Sequence, residues 1–431
     1  MNADTPPTRS APMPGLGRRQ FVRLGAGAVG VAVVGLAACD DTERRGSAGS
    51  VLGQSLTTTT STTTTAPIIV PSALAGRRLV IVQMNGGNDM LNTLPPADGR
   101  YRDLRPTLAI PEAEVVALQG VDDAGLHPSL AGLTPFWDAG ELAIMRGIGF
   151  EQPNRSHFVS MDRWWRADDL AAPGWMGRVF DEMGELPPLY AVALGAGAPV
   201  LAGASSQPTV VTRPDSFRWV DIDPRWLAAF GTSGDGSLAG QLRTAYTRAV
   251  AAVDEFAAIT GTTASSNELP TREGGATIAE GLGVAAQLLA ADAGTRVVVV
   301  SASGFDTHAN QLNDQARLLT DLNDGIVAFF ESIEAAGLSD DVLLVTTSEF
   351  GRRAAENGSG GCDHGAGGLS FAIGRGVRGG VRGDVDLANL LDGDVRPNLD
   401  PFGLFTACLD WIGADVERVL GRRVDQLDLL R

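Results

Sequence analysis

Three near-continuous apolar runs constrain this chain more than anything else in it: Leu79–Met84 (LVIVQM), Arg296–Ser301 (RVVVVS) and Val342–Val345 (VLLV). A strand that alternates apolar and polar residues has one wet face, whereas an unbroken run of four to six β-branched and aliphatic residues suits a strand buried on both faces. Between such runs lie stretches with helical periodicity, near Ser129–Trp137, Ser156–Trp165, Leu238–Ala258, Ala276–Ala291 and Asn310–Ala336. Strands alternating with helices predict an α/β fold, a mostly parallel central sheet flanked by helices on both faces. Further strands are predicted at Leu142–Arg146 and Leu369–Ile373, and closing helices at Leu387–Leu391 and Phe402–Trp411.

Parallel sheets place their chemistry beyond the C-terminal ends of the strands. Polar groups collect there in this sequence. Leu79–Met84 runs into Asn85-Gly86-Gly87-Asn88-Asp89, which sets a carboxylate just past the strand. Arg296–Ser301 runs into Gly304-Phe305-Asp306-Thr307-His308, where Asp306 and His308, two apart in extended chain, point the same way. Val342–Val345 leads to Glu349, Arg352 and Arg353, then to a glycine-rich loop with Asp363 and His364. After Leu142–Arg146 comes Asn154-Arg155-Ser156-His157, with Ser156 at a helix start, where free N–H groups favour an anion. Serine at that place is also an ordinary N-cap, and Asp89 an ordinary turn residue. His127, before Pro128, is expected to be structural or a helix cap.

The chain has only four histidines, and three of them stand beside a carboxylate or a serine in these loops. Asp89, Ser156, Asp306, His308, Glu349, Asp363 and His364 are nitrogen and oxygen donors of the kind that hold Zn, Mn or Mg, and one or two ions are expected. There is no lysine, which excludes a P-loop lysine and Schiff-base chemistry. The formal charge of -17 disfavours nucleic acid as a partner. Cys362 and Cys408 are expected either to pair or to leave Cys362 as a free thiol near the site.

Residues 1–39 read as a targeting segment. Arg18-Arg19-Gln20-Phe21 precedes the apolar stretch Leu24–Ala38, which resembles a twin-arginine export signal, and Leu36-Ala37-Ala38-Cys39 resembles a lipobox. Export and a lipid on Cys39, holding the protein at the outer face of a membrane, are the expectation. Residues 40–76 include Thr57–Thr65 broken by one serine and are expected to be a disordered tether. The folded domain is placed at 77–431, with a cap insertion around 195–275 left open.

The motifs GGNDMLNT (Gly86–Thr93), LHPSL (Leu126–Leu130), NRSHF (Asn154–Phe158), GFDTH (Gly304–His308), SEFGR (Ser348–Arg352) and ENGSGGCDHG (Glu356–Gly365) together resemble the secreted bacterial family known as domain of unknown function 1501. That family is similar in turn to the alkaline phosphatase-like superfamily of metal-dependent phosphate and sulfate ester hydrolases. The resemblance implies that Asp89 ligates one metal, that Ser156 is nucleophile and ligand, that Glu349 takes the carboxylate place of a Ser-Asp-His-Gly motif, and that Asp306, His308 and His364 hold the other metal. Phe350 stands where the superfamily has a metal-binding histidine, so either His157 replaces that ligand or a single ion binds. The expected function is hydrolysis of a phosphate or related anionic ester, small or glycan-borne, with Arg155 or Arg352 stabilising the transferring group. The alternative is a non-catalytic envelope protein that binds a glycan, a metal or a partner on the same fold.

Overall fold

The computed structural model describes residues 76–431 except 196, 215–216, 218–236, 262–275 and 292. Residues 1–75, on which the expected signal, lipobox and nearly all of the expected tether fall, lie outside the described residues.

Ten strands are present among the described residues: β1 (Arg78–Asn85), β2 (Val116–Leu118), β3 (Val121–Leu126), β4 (Leu142–Ile148), β5 (Ala191–Gly195), β6 (Thr209–Val211), β7 (Val297–Ser303), β8 (Val342–Thr347), β9 (Gly368–Ile373) and β10 (Gly380–Arg382). Eight of them form one sheet in the order β10-β4-β9-β8-β1-β7-β5-β6, and β2 and β3 form a separate hairpin. Strand β1 lies at the centre, parallel to β7 and β8, with Ile81 opposite Val299 on one side and Val345 on the other. Only β9 runs against its neighbours, antiparallel to both β8 and β4, so β4 points the same way as β8. The fold is an α/β sheet, mixed but mostly parallel, as the apolar runs predict.

Both faces of the sheet are covered, which explains the unbroken apolar runs. Val80, Val82 and Met84 of β1 pack with Ile278, Leu282, Leu322 and Phe329 from two helices, α1 (Ile278–Ala290) and α2 (Gln311–Ala335). The alternate residues Leu79 and Ile81 face the other core, with Trp164, Trp175, Phe405 and Leu409. Burial of each such side chain contributes roughly 1.5–3 kcal/mol. The second layer includes the helices His157–Arg166, preceded by Ser156, and Pro401–Ile412, capped by Asp400.

Three expectations differ from what is found. Leu387–Leu391 is not helical: Asp386 accepts from the amides of Ala388 and Asn389 as a cap would, but no helical turn follows, and Leu391 and Asp394 exchange backbone hydrogen bonds at 2.8 and 2.9 Å instead. Ser129–Trp137 is a 3₁₀ turn, Pro128–Leu133, followed by a short α-helix, Thr134–Asp138. Within 195–275, the segment of the possible cap insertion, β6 extends the sheet beside β5, and Ala252, Val253 and Phe256 of the helix Leu238–Thr260 are buried. The rest of that segment lies largely outside the described residues.

Candidate metal centre

The loops that follow β1, β7 and β8 are locked together before any metal ligand is considered. Ser348 Oγ donates to the Met84 carbonyl and accepts from Asn88 N–H, both at 2.8 Å, so the loop after β8 grips the loop after β1. Gly86, at φ +124°, lies so close to the third loop that a Cβ would stand 2.2 Å from Asp306 N. Only glycine permits that backbone and that approach. Arg352 completes the lock. Its guanidinium is fully buried and donates to the carbonyls of Gly87 (2.8 Å), Cys362 (2.9 Å), Phe305 (2.9 Å) and Gly86, and to Asp306 Oδ1 at 2.6 Å.

Around Asp306 stand three imidazoles, each with one nitrogen tied away from the centre. His157 Nδ1 is 2.8 Å from Glu349 Oε1, His308 Nδ1 is 3.1 Å from Asp363 Oδ1, and His364 Nδ1 donates to the Arg155 carbonyl at 2.8 Å. All three partners are acceptors, so each Nδ1 carries a hydrogen, and a ring in its neutral form turns an Nε2 lone pair inward. His308 Nε2 and His364 Nε2 are 2.9 Å apart, and each is 3.0 Å from Asp306 Oδ1. His157 Nε2 is 3.5 Å from Asp306 Oδ2. The ligand atoms of His157, Asp306 and His364 all lie within 4.8 Å of one another.

The charges are set by these contacts. Burial would raise the Asp306 carboxyl, but the hydrogen bond and charge of Arg352, with the His364 and His308 imidazoles beside it, outweigh that and hold it at about 2. Its bond to Glu349 raises the His157 imidazole above its ordinary value, against partial burial. Asn357 and His308 lower the Asp363 carboxyl. Beneath the cluster lies buried Phe350, its ring centroid 4.7 Å from that of His364 and 5.0 Å from that of His157. It forms an apolar floor for two of the imidazoles.

His157, Asp306, His308, Glu349, Arg352, Asp363 and His364 are thus brought together, while other expected site residues are not. Asp89 is sealed in a buried ion pair with Arg105 Nη1 at 2.7 Å, also accepts from Gln311 Nε2, and caps Met90–Thr93. The group of converging ligand atoms does not include it. Glu349 faces the cluster only through His157, its Oε1 also accepting from Gly86 N–H at 2.8 Å. Arg352 holds loops rather than facing open space, because its side chain is enclosed by those carbonyls. Arg155 directs Nε and Nη2 to Asp394, at 3.1 and 2.5 Å. Ser156 sits in the N-cap position of its helix, but its side chain makes no capping bond. Cys362 and Cys408 are unpaired buried thiols, each pushed up to about 12 by burial. His127 caps Pro128–Leu133 by accepting from Ser129 N–H, outside the site.

Three supporting residues escaped the sequence reading. Arg105 neutralises Asp89. Asn357 donates to both the His308 carbonyl and Asp363 Oδ1, at 3.0 and 3.1 Å. Asp394 receives Arg155. An Asn-Gly pair, as in Asn357-Gly358, is a turn signal that marks the second of them.

Comparison with known proteins returns no match among curated sequences. Among solved structures, the chain is similar to the lipoteichoic acid synthase LtaP of Listeria monocytogenes, at 10% identity and TM-score 0.38, over 84% of this chain and 78% of that one. It is similar to the C-terminal periplasmic domain of EptC from Escherichia coli in complex with Zn, at 10% identity and TM-score 0.37, over 79% and 84% of the two chains. A protein in the alkaline phosphatase superfamily from Vibrio parahaemolyticus gives 9% identity and TM-score 0.36, over 81% and 69%. Likeness at this level says nothing about activity. The model of a sequence family described as a protein of unknown function (DUF1501) matches residues 167–425, which takes in the motifs at Gly304–His308, Ser348–Arg352 and Glu356–Gly365 but not the three nearer the N-terminus. Because that match spans more than half of the sequence, the chain belongs to the DUF1501 family.

Proposed function

We propose that this chain is an exported, lipid-anchored, metal-dependent hydrolase of a phosphate or related anionic ester. The observation that carries the reading is the arrangement of the three imidazoles. Each has its Nδ1 hydrogen bound to a carboxylate or carbonyl, and the inner Nε2 atoms of His308 and His364 meet Asp306 Oδ1 at 2.9–3.0 Å. Neutral rings in that tautomer put three acceptors in contact with no hydrogen between them, an unfavourable arrangement that a metal ion relieves by taking all three as ligands and a proton relieves only in part. Two or three imidazoles with a carboxylate suit Zn, and Mn or Mg less well.

Asp306, His308 and His364 would hold the ion, with His157 as a further ligand through Nε2. When bound, a divalent ion supplies the positive charge that draws an anionic ester into an acidic protein and favours ionisation of an oxygen nucleophile. The chain's own groups do the rest. Glu349 and Asp363 fix two ring orientations, and Arg352 keeps Asp306 ionised. Ser156 is the nucleophile in this reading. It stands at the N-terminus of a ten-residue helix, one residue before His157, with its hydroxyl uncommitted to capping. Arg155 retains Nη1, and a side chain 42% exposed, for the substrate's oxygens.

The test is elemental analysis of the full chain together with turnover of aryl phosphate, phosphonate and sulfate esters. Bound Zn or Mn, with hydrolysis abolished in Ser156→Ala but metal retained, is the expected outcome. A chain that takes up no Zn, Mn or Mg and hydrolyses none of these esters overturns it. Metal without turnover, unchanged by Ser156→Ala, favours a second reading, a binding protein on a hydrolase-like fold, for which Phe350 in a ligand's place is the supporting observation. The anchor is tested separately: Cys39→Ser should move the protein from the detergent phase to the aqueous phase on partition, and no movement refutes it.

A further inference from the structure

Asp394 lies outside every motif discussed above, yet its carboxylate is completely buried. Buried carboxylates are uncommon unless paired, and the partners here are informative. Arg155 reaches Asp394 Oδ2 through Nε and Nη2, at 3.1 and 2.5 Å. Arg353 approaches the other oxygen, its Nε 3.7 Å from Oδ1, and residues 353 and 394 also form an antiparallel backbone bridge. Each arginine belongs to a different loop of the metal centre. Arg155 precedes Ser156 and His157, and its own carbonyl is the acceptor for His364 Nδ1 at 2.8 Å. Arg353 follows Arg352, and its N–H donates to the Asp363 carbonyl at 2.9 Å.

We infer that Asp394 is a further positioning residue of the centre, a buried carboxylate clamping the loop that carries Ser156 and His157 to the loop that carries Asp363 and His364. This rests on the metal-dependent reading above and adds to it a residue that touches neither metal nor substrate. The clamp acts through main chain. Anchoring the Arg155 side chain fixes the Arg155 carbonyl, that carbonyl fixes the His364 ring, and the ring's Nε2 is thereby aimed at Asp306. Outer partners of metal-bound imidazoles commonly account for 10–100-fold in metal affinity. Asp394 stands one bond network further out.

The experiment measures Zn affinity by chelator competition, and the visible spectrum of the Co-loaded protein, for the full chain and for Asp394→Asn, Arg155→Ala and His364→Ala. Asp394→Asn keeps the shape but removes the charge that holds Arg155 by two hydrogen bonds and attracts Arg353 across 3.7 Å. The expected result is Zn binding weakened about tenfold or more in Asp394→Asn and in Arg155→Ala, with a changed Co spectrum and unchanged far-ultraviolet circular dichroism. Arg155→Ala releases the clamp from its exposed side and serves if Asp394→Asn does not fold. Wild-type affinity and spectrum in whichever of these variants folds overturn the clamp while leaving the metal reading intact, provided His364→Ala loses the metal. A wild-type chain that binds neither Zn nor Co overturns both.

Discussion

Arg105 and Asp89 meet with side chains 0% and 1% exposed, and an ion pair so enclosed is most informative when one partner is removed. Arg105 also donates to the carbonyls of Arg353 and Ala354 and to Asn92 Oδ1, so it binds the segment after β1 to the loop after β8. Arg105→Met leaves the Asp89 carboxylate buried against an apolar chain. Loss of one partner of a buried pair typically costs about 3–5 kcal/mol. Urea unfolding of the variant should show a loss of that order, and a loss under about 1 kcal/mol would mean that water reaches Asp89. Asp89→Asn should be destabilised as well but keep its bound metal, which separates a structural aspartate from a ligand. At this scale the sequence was legible where donors share a loop: Asp306 with His308, Asp363 with His364. It was not legible where partners are far apart in the chain, because nothing in either residue's neighbourhood records that Arg105 reaches Asp89 or that Arg155 reaches Asp394.

Elements with a strong period are legible in the sequence, while local backbone pairing, as at Leu391 and Asp394, and the direction of a single strand are not. The apolar runs of β1, β7 and β8 are continuous because helices cover both faces, and that requirement is written into every residue of the run. The reversed direction of β9 leaves no such trace, since a buried strand has the same composition either way. The 3₁₀ turn Pro128–Leu133 offers an element-scale measurement. Its cap is His127, whose Nδ1 must be free of a proton to accept from Ser129 N–H, and burial depresses the imidazole to about 4. An unfolded histidine titrates near 6.5, so between about 6.5 and 4 the unfolded chain binds the extra proton. Stability from this group is therefore complete above pH 6.5 and is lost progressively as pH falls to 4, by on the order of 3 kcal/mol. His127→Asn keeps an acceptor at the cap and does not titrate. The stability difference between wild type and this variant should shift against the wild type from pH 7 to pH 4.5 in denaturant titrations. A pH-independent difference would show that His127 is hydrated in the native state.

For the molecule as a whole, the centre joins segments that the chain keeps far apart. Its groups come from the loops after β4, β7 and β8, and these strands are separated in the sheet by β9 and β1. Without a cation those loops bring together Asp306, Glu349 and Asp363 in a chain whose formal charge is already -17. Arg352 offsets only part of that, because its charge is shared with four carbonyls. A ligand that binds only the folded state stabilises it in proportion to the logarithm of its excess over Kd, about 4 kcal/mol at a thousandfold excess. Dialysis against a chelator should therefore lower the Tm by several degrees, since 1 kcal/mol corresponds to about 2–4 °C in large domains. Restoring Zn should return it, whereas His364→Ala should show the lower Tm with or without Zn. Because the three loops also hold Ser156 and the Arg155–Asp394 pair, the same loss should raise amide exchange in 154–157, 304–308 and 357–364 while leaving β1 unchanged. Uniform exchange across the sheet and these loops would mean that the centre is held by the scaffold alone.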